Sequence, residues 1–209
     1  MFLTKAVATV ALIITTALGS QQINAQKRPQ AEAEALSEIG SGIGQSEADF
    51  ATLAKRAGFS SIETKEDDGL TLIKMSGRIG SQRRCKLLTA TNNENGRKIL
   101  HASIFLPERS TWAELKADYD WMKDGLTKAY GKPEESSESA ATMPDDDDNK
   151  AIMSAVKADK VDYTTKFEDG GLTIMLSITY TAEHGAHVGT LFIDKAVSEN
   201  ILNSLGSDM

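Results

Sequence analysis

Residues 111–133 read TWAELKADYDWMKDGLTKAYGKP. Thr111 followed three residues later by Glu114 is a capping box, in which each side chain satisfies a backbone N–H of the other. Trp112, Leu115, Tyr119, Met122, Leu126 and Tyr130 then recur at spacings of three and four, which draws one apolar stripe along a helix. Gly131 supplies the stop and Pro133 bars continuation. A helix marked at both ends, with one apolar side, must lay that side on something.

The flanking sequence supplies a sheet. A first helix starts at Ser46, with Asp49 three residues on. Its apolar side holds Phe50, Leu53, Ala54 and Ala57, and Gly58-Phe59 closes it. Strand patterns follow at 60–65, 69–76, 83–90 and 98–106, the last two joined by an Asn-Gly turn at Asn95-Gly96. After the 111–133 helix comes a polar loop over 134–150. Strands are then expected at 151–157, 161–168, 172–180 and 188–194, with Gly170-Gly171 turning between two of them. A short helix over 196–205 closes the chain. Strands joined by short turns pair antiparallel, and a sheet with one apolar face needs helices as its cover. The expected fold is therefore α+β: two tandem halves, 45–109 and 110–209, each a helix on an antiparallel sheet, together one compact domain. The two helix-ending glycines, Gly58 and Gly131, lie 73 residues apart, which suggests a diverged tandem duplication.

The N-terminus reads as an export signal. Lys5 precedes an apolar run of about 13 residues, the length of a signal-peptide core and short of a membrane span. Cleavage is expected after Ala25, followed by a linker over 26–44 with a short helix inside it at 31–39. No cysteine follows the apolar run, so no lipid anchor is expected, and no later segment is apolar enough to cross a bilayer. The whole chain carries a net charge of −7. Residues 1–25 hold Lys5 and no acid, so the exported part carries −8. That balance argues against general nucleic-acid binding. Cys85 is the single cysteine, so no disulfide within the chain can staple the fold.

The string Trp112-x-x-Leu115-x-x-x-Tyr119, then Leu126-x-x-x-Tyr130-Gly131-Lys132-Pro133, resembles a hallmark of uncharacterised secreted proteins from Gram-negative gut anaerobes. Ile43-Gly44, Gly58-Phe59, Leu106-Pro107 and Phe167-Glu168 fall in that family's order, so the likeness covers most of residues 42–195. Ile43-Gly44-Gln45 departs from it in lacking the usual proline. The resemblance implies export and the helix–sheet order, and carries no catalytic role. In outline the order is also similar to beta-lactamase-inhibitor-protein and outer-membrane-assembly-lipoprotein folds, a likeness of fold alone.

Chemistry is sparse. Gly40-Ser41-Gly42-Ile43-Gly44 follows no strand and lacks the Lys-Ser/Thr ending of a phosphate loop. Asp145 to Asn149 opens like a calcium loop, but Lys150 stands where glycine belongs and Val156 where a bidentate Glu belongs, so a solvated acidic loop is the better reading. His184 and His187, three apart after Glu183, are candidate metal ligands without a clear third partner. His101, alone in a strand, reads as a packed or edge histidine. Cys85 shares a strand face with Leu87, opposite Arg84 and Lys86, and reads as a buried inert thiol. No nucleophile motif is present. Between residues 70 and 100 seven basic residues stand against Glu94, whereas 134–148 carries seven acids and no base. Arg78, Arg83, Arg84, Lys86 and Arg97 are thus the candidate surface for an anion or an acidic partner. The expected function is a non-catalytic binding module, periplasmic or secreted, without cofactor. Its expected partner is an envelope or extracellular protein or an anionic ligand. The alternatives are a hydrolase of unrecognised type, or a small-ligand or metal carrier using His184 and His187.

Overall fold

The structure, a computed structural model, describes residues 30–67, 70–79, 83–92, 98–140 and 149–196. The expected signal at 1–25, Arg97, the acidic run 145–148 and nearly all of the expected closing helix lie outside these residues.

Helix α1 covers 30–41, α2 Glu47–Arg56, α3 Trp112–Tyr130 and α4 Asn149–Lys157. The strands are β1 Phe59–Asp67, β2 Leu70–Ile79, β3 Arg83–Asn92, β4 Lys98–Phe105, β5 Glu135–Ala140, β6 Val161–Asp169, β7 Leu172–Thr181 and β8 Gly185–Asp194. They form an antiparallel sheet in the order β1-β2-β3-β4-β8-β7-β6-β5. Two four-stranded meanders therefore run inward from opposite edges and meet where β4 pairs with β8. The fold is α+β, as the helix and strand patterns require.

Strand alternation decides what each face carries. Cross-strand register aligns Ile73 with Thr89 and Ala102, and Met75 with Leu87 and Ile104. It then aligns Ala102 with Phe192 and Ile174, and Ile104 with Thr190 and Leu176. These side chains are buried and face the helices. Leu115, Met122 and Leu126 of α3 lie on them at no more than 1% exposure, each contributing roughly 2 kcal/mol by removal from water. Both N-caps form, Thr111 accepting from the Glu114 N–H at 3.3 Å and Ser46 from the Asp49 N–H at 3.2 Å, but the Glu114 carboxylate returns to the Thr111 hydroxyl and not to its N–H. Gly131 and Gly58 end or follow their helices at φ 83° and 99°, a region closed to most side chains.

Three segments differ from expectation. Residues 30–41, read as linker apart from a short helix, are helical, and their Ala35, Leu36 and Ile39 enter the core. Those three positions share one helical side, and the Tyr130 hydroxyl donates to the Leu36 carbonyl at 2.9 Å. Residues 151–157, expected as a strand, belong to α4. Ile152 and Val156 are buried four residues apart, which is helical and not alternating spacing. The fourth strand of the second half is β5, inside the stretch read as a polar loop. Its sequence ESSESA is polar up to Ala140. The β6 ladder holds it, with Ser137 donating to Asp162 at 2.6 Å and Ser136 bonded to Thr165 at 2.9 Å. A polar edge strand of this kind resists pairing with other chains.

Candidate anion-binding cleft

Arginines gather at one corner of the sheet, beside the first turns of α3. Arg78 of β2 and Arg84 of β3 are direct cross-strand partners on the face away from the helices. Arg83, one residue earlier, points to the opposite face by simple alternation, and there it meets α3. Arg109 comes from the segment between β4 and α3. Together with Pro107, Glu114, Ala117 and Asp118 these four arginines line a cleft of about 560 Å³.

Asp118 organises the corner. It sits on the buried side of α3, between Leu115 and Met122, and is 2% exposed. A carboxylate so placed must be paired, because an unpaired buried charge is very costly. Arg109 donates to it through Nε to Oδ2 at 2.8 Å and Nη2 to Oδ1 at 3.4 Å, and Arg83 contacts Oδ1 through Nη1. Arg83 also stacks over the Trp121 ring, its guanidinium carbon 4.8 Å from the centroid. Partial burial, and then the positive charge of Arg109, push the Arg83 guanidinium below its ordinary value. One acid thus fixes two arginines and neutralises one of them. Glu114 is engaged in the helix cap, its carboxylate accepting from the Thr111 hydroxyl at 2.8 Å. Arg78 and Arg84 are exposed and make no ion pair among the described residues.

Like charges directly opposite on a sheet destabilise it. The arrangement offers planar N–H forks from several directions, which is the chemistry of carboxylate, phosphate or sulfate recognition.

Compared with family models, curated proteins and solved structures, the chain matches none. The functional reading rests on the geometry.

Of the residues singled out in the sequence, Arg78, Arg83 and Arg84 come together in the cleft. Lys86 lies one pleat away and lines an adjoining groove of about 850 Å³, which shares Arg78, Arg84 and Pro107 with the cleft. Arg97 lies outside the described residues. Arg109 and Asp118 were not singled out. The signal for Asp118 was present: it is an acid on the apolar stripe of the best-marked helix. Arg109 carries no local signal, being 26 residues from Arg83 and joined to it only by the fold.

His184 and His187 do approach each other, with ring centroids 5.6 Å apart. His187 belongs to β8 and not to the turn. It is fully buried, and its Nδ1–H donates to the Gly185 carbonyl at 2.9 Å, leaving the buried Nε2 without a partner. Burial lowers its pKa from the ordinary value. His184 stacks flat on Phe105 at 4.9 Å. Among the described residues, no third His, Cys, Asp or Glu joins them in a set that could hold a metal ion. Cys85 is 5% exposed, and burial pushes its thiol up to about 11, far from the thiolate. His101 is half-buried in β4, with its pKa lowered by burial.

Proposed function

We propose that this chain is an exported, non-catalytic binding module of the cell envelope that holds an acidic partner in the arginine cleft. The supporting observation is the excess of fixed positive charge at one corner of an acidic molecule. Arg83 and Arg109 are locked by Asp118, and Arg78 faces Arg84 with no acid between them. Such a pairing weakens the sheet, and an arriving oxyanion reverses that cost. Of the two acids lining the cleft, Asp118 is buried against Arg83 and Arg109 while Glu114 is exposed, so four arginines stand there against two acids. No helix among the described residues is long and apolar enough to cross a membrane.

Isothermal titration of the protein with a hexaglutamate peptide at low salt tests this reading. Wild type should bind, with affinity falling as salt rises. Arg78→Glu/Arg84→Glu should abolish binding while keeping the same far-ultraviolet circular dichroism. Equal binding by the double variant would reject the cleft as the site.

A further inference from the structure

The groove beside the cleft leads to a second, smaller pocket. It encloses about 250 Å³, the volume of roughly eight waters or one bulky side chain. It opens on the sheet face that no described helix covers. Phe105 stacked on His184 makes one wall, Leu88 lies in its floor, and Lys74 and Lys86 flank it. The β7–β8 turn closes the far side, tethered by Glu183 to Lys74 at 3.7 Å. Glu63 and Glu183 line the pocket beside the two lysines, so its flanking charges balance, and a stacked aromatic pair over an aliphatic floor favours a neutral aromatic ring through ring–ring contact, with Lys86 placed for cation–π attraction.

This pocket and the arginine cleft belong to one continuous depression. The pocket shares Ser76, Lys86, Phe105 and His184 with the groove, and the groove shares Arg78 and Arg84 with the cleft. Register gives the separation. Arg78 pairs with Arg84, Ser76 with Lys86, and Lys74 with Leu88, so the pocket lies one to two pleats from the arginines along the strands. At about 3.4 Å per residue this is roughly 7–14 Å. Side chains two to four residues apart on one side of an extended peptide have the same separation.

We infer that the ligand is an extended acidic peptide segment, with a carboxylate or phosphate in the arginine cleft and an aromatic side chain two to four residues away in the Phe105–His184 pocket. This rests on the reading of the cleft given above and adds the class of ligand. The charged end supplies attraction and the ring supplies selectivity, since an aromatic anchor in a desolvated pocket dominates many interfaces.

Two fluorescein-labelled peptides, Glu-Glu-Gly-Trp-Gly and Glu-Glu-Gly-Gly-Gly, separate the two claims by fluorescence anisotropy. Wild type should bind the tryptophan peptide at least tenfold more tightly. Ser76→Trp, an exposed position that fills the pocket from its edge, should bring the two peptides to the same affinity while still binding both. Equal affinities for wild type would overturn the pocket inference and leave the cleft intact. Binding of neither peptide would overturn both. A preference that survives unchanged in folded Ser76→Trp would place the ring elsewhere and overturn the pocket.

Discussion

The two halves of the sheet treat charge in opposite ways. Around α3 and β5–β8 cations sit against acids: Lys116 on Asp120 at 3.0 Å, and Lys166 and Lys195 both on Glu168 at 2.7 Å. Lys123 likewise contacts Glu138, and Lys128 contacts Asp124. At the β2–β3 corner the balance is broken. Four arginines share one buried acid and a capped glutamate, and two of the four face each other. The same kind of core underlies both halves, so packing does not require the difference. A surface that neutralises itself needs nothing from outside, and the arginine corner is left incomplete.

The largest expected effect comes from removing the acid that holds the corner. Asp118→Ala should cost about 2–3 kcal/mol in urea unfolding, below the usual range for a broken buried pair because both guanidinia stay partly exposed. Lys116→Ala, which opens a surface pair on the same helix, should cost under about 0.5 kcal/mol. Similar losses for the two would erase the contrast between the corner and the self-neutralised surface.

Tyr119→Phe should fall between them. Its hydroxyl bonds Thr165 at 2.6 Å inside the core and joins α3 to β6. Losing it should cost about 1 kcal/mol, because Thr165 keeps its bond to Ser136. A cost above that of Asp118→Ala would place the stability of α3 in the second half and not at the corner.

The smallest effect is an acid-limb change. Lys166 and then Lys195 hold the Glu168 carboxyl down at about 2, against an ordinary 4.5. A depressed carboxyl adds stability that is fully present above its unfolded pKa and is lost as pH falls toward the folded value. Glu168→Gln should therefore melt less steeply than wild type between about pH 4.5 and pH 2, and in parallel with it above that window. A variant whose acid limb matched wild type would show that this paired surface carries no linked stability.

Much of the scaffold could be read from residue order because its signals are local. Thr111, the stripe through Leu126 and Gly131 define α3 without reference to anything distant. What misled was composition. The apolar content of residues 151–157 suggests a strand, whereas the four-residue gap between Ile152 and Val156 is helical. Strand β5 has no apolar alternation to betray it, Ala140 being its one apolar residue, and its side chains bond Thr165, Asp162 and Lys123. The arginine cluster was half legible. Arg78, Arg83 and Arg84 are close in sequence, but alternation sends Arg83 to the opposite face from Arg84. They share a cleft only at the strand ends, where residues of α3 complete its lining. Arg109 could not be found at all before the fold placed it beside Asp118.

The most direct measurement is the melting temperature of Arg84→Thr beside wild type, with and without sulfate at constant ionic strength. Threonine suits a strand and relieves the repulsion from Arg78, so without sulfate the variant should melt as high as wild type or slightly higher. Sulfate should then raise the wild-type midpoint and leave the variant's nearly unmoved. A variant that melts lower without the anion, yet gains as much from it as wild type does, would contradict the account.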